Sequence, residues 1–297
     1  MLFRSGFDTT IWLRSEGSIG RAQPKLDRLH KLYLDDIESV RVGLGKPNAA
    51  APAGFGLKPD ELTDEKLDEL AARVESAYKN LKITLSLEES ANDCDYYIES
   101  MAEIPEDKHV FYRNLNEVLE DKTIVMTNSS TLLPSTFKVD FTKPERYLAL
   151  HFANNIWRSN SAEVMGHDGT SQAAYDEAVE FAKALHMVPI KVLKEQPGYL
   201  LNSMLVPFLN SAQYLLANGI GDHENIDMAW KIGTGAPYGP FQILDIVGLT
   251  TAYNIVANHP EANDPTTNAG KIAAMLKKYI DAGKTGVNAG EGFYKYR

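Results

Sequence analysis

Residues 124–131, with the sequence IVMTNSST, pass from a short apolar run into a cluster of amide and hydroxyl side chains. An apolar run of this length is typical of a buried strand. Helical patterns, such as the one over residues 172–185, separate several similar runs. Strands that alternate with helices predict a mostly parallel sheet covered on both faces. The similar runs lie at residues 83–85, 96–98, 147–150, 162–165 and 188–192.

The polar end of this stretch, residues 128–131, is a candidate ligand site, because ligands of open α/β sheets bind beyond the carboxyl ends of strands. Taken alone, such a cluster is more often a helix cap or a turn. His151 follows the next apolar run, and Glu163 lies among apolar neighbours in the run after it. A lone histidine at a strand end is more often structural, but paired with a carboxylate it makes a base and its orienting group.

The chain before this region begins with residues 7–13, FDTTIWL, which read as a strand followed by a polar turn at residues 14–18. A helical pattern then follows, with Pro24 suited to its first turn. Lys25 and Arg28 lie on the more exposed side of this helix. These two cations are either part of a solvated helix face or a local attraction for a phosphorylated ligand.

The pattern changes to purely helical at about residue 194, so we predict one domain over residues 1–193 and an all-helical second domain over residues 194–297. Near its start, residues 196–202 read QPGYLLN, a proline–glycine break that leads into a helix. Asn202 falls early in this helix, as an ordinary exposed asparagine or as an amide that faces a cleft. Gly219 is a plausible end for the helix, and Asp222 is a plausible cap for the next one.

Composition limits the function classes. The 297 residues are 44% hydrophobic and 24% charged, with a formal net charge of -10, which disfavours nonspecific nucleic-acid binding. The single cysteine, Cys94, cannot form an internal disulfide, and two flanking aspartates oppose a reactive thiolate. No apolar run approaches the roughly 18 residues of a membrane helix. We therefore expect a cytoplasmic protein.

Six ordered blocks resemble successive signatures of the 3-hydroxyacyl-CoA dehydrogenase family, and the resemblance runs from Phe7 to the last residue. The resemblance implies a nucleotide-binding domain, a helical domain that forms a homodimer, and NAD-linked interconversion of L-3-hydroxyacyl-CoA and 3-oxoacyl-CoA in fatty-acid β-oxidation. No metal ion is implied. The blocks are NSST, LHFANN, AEV, QPGYLLNSMLVPFLN, GAPYGPFQILDIVGL and GKTGVNAGEGFYKY.

Carried over to this chain, His151 resembles the catalytic acid/base and Glu163 the carboxylate that orients it. Ser130 and Asn202 resemble the groups that hold the substrate oxygen. The resemblance further implies cofactor contacts for Glu99, Lys108, Asn128 and Ser130. We also predict substrate contacts for Asn154, Lys25 and Arg28.

Two departures fall on the expected cofactor site. The chain as printed has no G-x-G-x-x-G turn before the FDTTIWL strand, and Leu13 stands where the family usually has an acidic residue for the ribose. We therefore expect an N-terminally truncated Rossmann-type sheet with impaired binding of the pyrophosphate. Two alternatives stay open: a noncatalytic dimeric acyl-CoA-binding protein, and a related dehydrogenase of a free hydroxy acid.

Overall fold

Strands and helices alternate through the first part of the chain, as predicted. The computed structural model describes residues 5–44, 51, 55–154, 156 and 159–296. Its contacts divide the chain into two units, Met1–Leu200 and Leu201–Arg297. This division falls a few residues after the domain boundary that we predict at residue 194.

Within the described ranges, the first unit contains seven strands in two sheets. A two-stranded parallel sheet pairs β1 with β2, and a five-stranded sheet has the order β3-β4-β5-β6-β7. Each predicted strand is present, with ends shifted by three residues at most. The strands are β1 (Thr10–Trp12), β2 (Lys82–Thr84), β3 (Tyr96–Glu99), β4 (Ile124–Thr127), β5 (Tyr147–Phe152), β6 (Ser161–Met165) and β7 (Val188–Val192).

The larger sheet is parallel except where β5 meets β6, which run antiparallel. The register of this pair sets His151 directly opposite Glu163. Directly opposite residues of an antiparallel pair point to the same face of the sheet with Cβ atoms about 4.5–5.5 Å apart. The backbone pairing itself therefore brings these two side chains together.

Helices connect and cover the strands of the first unit. The second helix begins at a cap in which the Thr63 side chain accepts a hydrogen bond from Lys66 N, and the sixth is capped by Ser171 in the same way. The helices are α1 (Glu16–Gly43), α2 (Asp64–Asn80), α3 (Leu87–Ala91), α4 (Pro105–Asn116), α5 (Pro134–Phe137) and α6 (Gln172–Ala184).

The start of α1 corrects the sequence-based prediction. We predicted a turn over residues 14–18 and a helix whose first turn contains Pro24. The helix instead begins at Glu16, so Pro24 lies inside it. Proline in a helix interior removes one backbone hydrogen bond and crowds the carbonyl of residue i−4. That residue is Gly20, which adds no side chain to the crowding.

The second unit is built mainly from helices, with isolated β-bridges between Gly286 and Glu291 and between Glu291 and Lys295. Asp222 caps α8 by accepting a hydrogen bond from Asn225 N, and Gly219 adopts a φ of 69° after the end of α7, both as predicted. The helical region over residues 240–257 is divided at Gly248, whose φ is 94°. No described helix is long and apolar enough to span a bilayer. The helices are α7 (Leu201–Ala217), α8 (His223–Thr234), α9 (Pro240–Val247), α10 (Leu249–Ala257) and α11 (Asn268–Asp281).

Candidate active site

The predicted pair of His151 and Glu163 forms in the structure. His151 Nδ1 lies 3.0 Å from Glu163 Oε2, and the two residues are 5% and 3% exposed. With the carboxylate ionised, Nδ1 carries the proton and donates a hydrogen bond to Oε2. The imidazole then presents Nε2 as an acceptor. Such a pair can take a proton from a hydroxyl group and stabilise the resulting positive charge.

The segment that follows β7 holds this pair from the other side, which sequence reasoning did not predict. Leu200 N donates a hydrogen bond to Glu163 Oε1 at 2.9 Å, so both carboxylate oxygens of Glu163 are engaged. The Tyr199 ring is stacked on the His151 ring, with centroids 4.5 Å apart and planes inclined by 12°. The Tyr199 hydroxyl donates to the carbonyl oxygen of Ser129 at 2.8 Å.

The polar cluster after β4 is organised by a carboxylate that we also did not predict. Glu103 accepts hydrogen bonds from Ser129 Oγ at 2.7 Å, from the backbone N–H of Ser130 at 3.1 Å and from Thr131 Oγ1 at 3.3 Å. Asn128 Oδ1 accepts from the backbone N–H of Phe152 at 3.0 Å, which ties β4 to the end of β5. The strand-end amide and hydroxyl groups thus lie beside the strand that carries His151.

The structure places Glu99 and Lys108 away from any exposed surface. Both side chains are 0% exposed, and Lys108 Nζ donates to Glu99 Oε1 and Oε2 at 2.6 and 2.8 Å. Tyr112 and Thr127 donate to the same carboxylate. The ion pair joins β3, β4 and α4. The cofactor contacts that we predict for these two residues stay predictions.

The remaining predicted residues lie on different elements of the chain. Asn154 is exposed just beyond β5, and Lys25 and Arg28 are exposed on α1. Asn202 is half-buried in the first turn of α7, in the second unit. Their predicted contacts with substrate stay predictions.

Comparison with known proteins gives the family. The model of the 3-hydroxyacyl-CoA dehydrogenase NAD binding domain matches residues 58–196, and that of the family's C-terminal domain matches residues 198–296. A probable 3-hydroxyacyl-CoA dehydrogenase of Caenorhabditis elegans is 31% identical over 95% of this chain and 90% of its own length. The mitochondrial hydroxyacyl-coenzyme A dehydrogenase of Homo sapiens is 29% identical over 98% of this chain and 99% of its own.

Among solved structures, that of a diketoreductase superposes with a TM-score of 0.81 at 38% identity, over 99% of this chain and 93% of the other. Both halves of the sequence therefore match one family, and they match it in the order in which the two units occur along the chain. The buried histidine–glutamate pair lies in the part that matches the family's NAD binding domain. The chain belongs to the 3-hydroxyacyl-CoA dehydrogenase family.

Proposed function

We propose that this protein is an oxidoreductase that interconverts L-3-hydroxyacyl-CoA and 3-oxoacyl-CoA with NAD as the cofactor. The observation that carries the proposal is the buried pair of His151 and Glu163, 3.0 Å apart, on neighbouring strands of the sheet. A base for a substrate hydroxyl becomes positively charged in the reaction, and a buried carboxylate partner stabilises that charge.

The groups at the end of β4 fit the nicotinamide end of NAD. A carboxamide both donates and accepts hydrogen bonds, so it requires a mixed set of partners. Asn128 uses its oxygen on Phe152 N, which leaves its amide N–H groups to donate. The Ser130 hydroxyl can donate or accept, and the Glu103 carboxylate accepts. NAD, when bound, would accept the hydride from the substrate carbon.

The protein's own part in the oxidation is to move a proton. The substrate O–H bond breaks as the hydride leaves, and the proton passes to Nε2 of His151. Glu163 keeps the proton on Nδ1 and stabilises the imidazolium that forms. In the reverse direction the same imidazolium returns its proton to the 3-oxo oxygen. Burial of the pair excludes water, which strengthens the interaction between the two charges.

The substrate oxygen gains negative charge as its proton leaves, and it requires fixed donors. We assign the Ser130 hydroxyl to this task because Ser130 follows the strand next to the one that carries His151. The family resemblance suggests that Asn202 also donates a hydrogen bond to the substrate oxygen. The kinetics of Asn202→Ala test this role. Loss of one such donor costs about 10²–10³-fold in kcat.

A second candidate function is the reduction of a dicarbonyl compound that carries no CoA. The diketoreductase that is 38% identical to this chain favours this function, since that enzyme acts on dicarbonyl compounds. The two functions differ in the phosphates that CoA adds, for which exposed Lys25 and Arg28 on α1 are the candidate partners. Replacing both by Gln raises KM for acetoacetyl-CoA under the first function and leaves the kinetics with acetoacetate unchanged.

The test is NADH oxidation by the purified chain with acetoacetyl-CoA and, separately, with acetoacetate. We expect turnover of the thioester that His151→Gln abolishes. Turnover of acetoacetate alone would favour the second function. Binding of acyl-CoA in a titration, with no NADH binding and no turnover, would show a noncatalytic binding protein and refute the proposal.

We further infer that the enzyme is a homodimer, acts in the cytoplasm and serves the β-oxidation of acyl chains. The single cysteine supports a reducing compartment, because it cannot form an internal disulfide. Apolar side chains exposed on the second unit, among them Met204 and Ile232, support association through that unit. Fractionation of cells that express the chain tests the location.

A further inference from the structure

The segment from Gln196 to Leu200 has a backbone that is rare for its sequence. Gly198 has a φ of 81°, which glycine adopts readily, but Tyr199 follows it with a φ of 54°. Few residues with a side chain occupy this left-handed region. The backbone N–H of Tyr199 donates to the carbonyl of Gln196 at 2.9 Å and closes the turn. Contacts made by the side chain must hold this conformation in place.

Three contacts connect this turn to the parts of the candidate active site. The Tyr199 ring, 1% exposed, lies against the His151 imidazole at 4.5 Å. Its hydroxyl donates to the carbonyl of Ser129, whose neighbour is Ser130. The next residue, Leu200, donates its N–H to Glu163 Oε1 at 2.9 Å. One short turn therefore contacts the base, its carboxylate and the strand end that carries the predicted oxygen donor.

These contacts differ from those of an aromatic residue that only fills space. With the single hydrogen bond at Nδ1 alone, the imidazole ring could rotate about that hydrogen bond. The nearly parallel stack with Tyr199 restrains this rotation. The hydroxyl adds a connection to a different strand end, which phenylalanine could not make. Burial raises the pKa of Tyr199, so its hydroxyl keeps its proton and stays a donor.

We propose that Tyr199 is a positioning residue of the reaction: its ring fixes the plane of the His151 imidazole, and its hydroxyl fixes the strand end that carries Ser130. Nε2 and the Ser130 hydroxyl must act on the same substrate oxygen, so their relative position sets the rate. This inference rests on the proposed function and assigns to Tyr199 a role in kcat rather than in substrate binding.

Two variants of the full chain separate the ring from the hydroxyl. Tyr199→Phe keeps the stack and removes one neutral hydrogen bond, so we expect kcat with acetoacetyl-CoA and NADH to fall by roughly 5-fold. Tyr199→Leu also removes the stack. A displacement of about 1 Å in a catalytic group can cost 10²-fold, and we expect a loss of that order for Tyr199→Leu. KM should change by less than about 3-fold in both.

Tyr147 supplies matched controls. It is also fully buried, its hydroxyl bonds to that of Tyr112 at 3.2 Å and its ring stacks on Phe141, without contact to His151. Tyr147→Phe and Tyr147→Leu should lower stability to a similar degree as the matching Tyr199 variants and leave kcat near that of the parent chain. Equal losses of kcat at both positions would show that Tyr199 acts only through stability, and the inference would be wrong.

A spectroscopic measurement keeps this inference distinct from the proposed function. An aromatic ring stacked on an imidazole shifts the imidazole C–H resonances upfield, and the His151 signal is identified as the one lost in His151→Gln. We expect the shift in the parent chain and in Tyr199→Phe, and its loss in Tyr199→Leu. An unshifted His151 signal in the parent chain would overturn the inference. A shifted signal in a chain that turns over no substrate would refute the proposed function instead.

Discussion

One hydrogen bond decides which nitrogen of His151 is available for chemistry. Glu163 Oε2 accepts a hydrogen bond from Nδ1–H, so Nε2 is the nitrogen that can accept a proton from a substrate. Glu163 Oε1 is held by Leu200 N, which prevents the carboxylate from turning away. The amide of glutamine in place of Glu163 would keep much of the geometry and lose the negative charge.

We therefore expect His151→Gln to lower kcat by about 10²–10⁴-fold with a small change in KM, because it removes the base. Glu163→Gln should be less severe, since the imidazole remains. Steady-state kinetics with acetoacetyl-CoA and NADH measure both. His109→Gln serves as the control, because His109 pairs with Asp140 outside this pair. Near-normal turnover by His151→Gln would show that another group is the base.

Cys94 is predicted to be a poor nucleophile. Burial is the main cause that raises the pKa of its thiol from 9.0 to about 11, and a backbone interaction with Tyr96 opposes this shift only in part. The protonated form thus persists well above pH 8. We expect alkylation by iodoacetamide at pH 8 to be slower than for a free cysteine, and its rate to rise toward pH 11. Rapid labelling at pH 8 would contradict the burial seen here.

The sequence predicts some residues of the candidate site and omits others for a physical reason. His151 and Glu163 are recognisable because ionisable residues are rare among apolar strand residues. Tyr199 is not, since an aromatic residue in an apolar segment has the composition of a core, and its stacking partner lies 48 positions away. Glu103 could have been found, because it follows the carboxyl end of a predicted strand, where ligands bind.

At the scale of elements, the end of the chain is fastened to α9 through a buried carboxylate. Asp245, 1% exposed, accepts hydrogen bonds from Phe293 N at 2.8 Å, Tyr294 N at 2.9 Å and the Tyr296 hydroxyl at 2.9 Å. Gly292 permits this approach, since a Cβ there would lie 2.0 Å from Asp245 Oδ1. The GEGFYKY motif therefore has a packing role that the sequence pattern alone did not reveal.

Gly292→Ala should consequently destabilise the second unit, because Asp245 must move and release its backbone donors. Each unsatisfied buried group costs about 1–3 kcal/mol, and we expect a loss of at least that size in the free energy of unfolding. Urea denaturation measures it. Gly233→Ala is the matched control: a Cβ there meets no atom within 4 Å, and alanine favours the helix α8. A stability of Gly292→Ala equal to that of the parent chain would contradict the packing.

The elements themselves differ in how far the sequence predicts them. The strands were predicted closely because each is a short run of apolar residues bounded by polar ones. The start of α1 was not, because Pro24 is a strong signal for a first turn, while the structure accommodates it in a helix of 28 residues. The division between α9 and α10 is hard to predict, because it lies in an apolar segment and depends on the positive φ of Gly248.

At the scale of the whole molecule, we expect two copies of the chain to associate as a homodimer. Leu205, Phe208 and Leu216 pack partly against the core of their own unit. Other large apolar side chains of the second unit are exposed instead. They include Met204, Ile220, Met228, Ile232 and Tyr238.

We therefore expect light scattering to give a dimer mass at micromolar concentration. The double substitution Met204→Glu and Ile232→Glu should shift the mass toward the monomer, because it places charges on the apolar surface. Val139→Glu is the control, since Val139 is equally exposed but belongs to the first unit. A monomer in the parent chain would count against the homodimer.

The cross-strand register of His151 and Glu163 has a consequence for protein engineering. Their spacing is set by the hydrogen-bonded ladder between β5 and β6, and not by the connection over residues 153–160. Substitutions in that connection outside Asn154, which has a predicted substrate contact, leave the two side chains opposite each other as long as the ladder is intact. A one-residue slip of the ladder would instead send His151 and Glu163 to opposite faces. Selections for new substrates can thus vary the connection between the two strands, provided that the strands themselves are left intact.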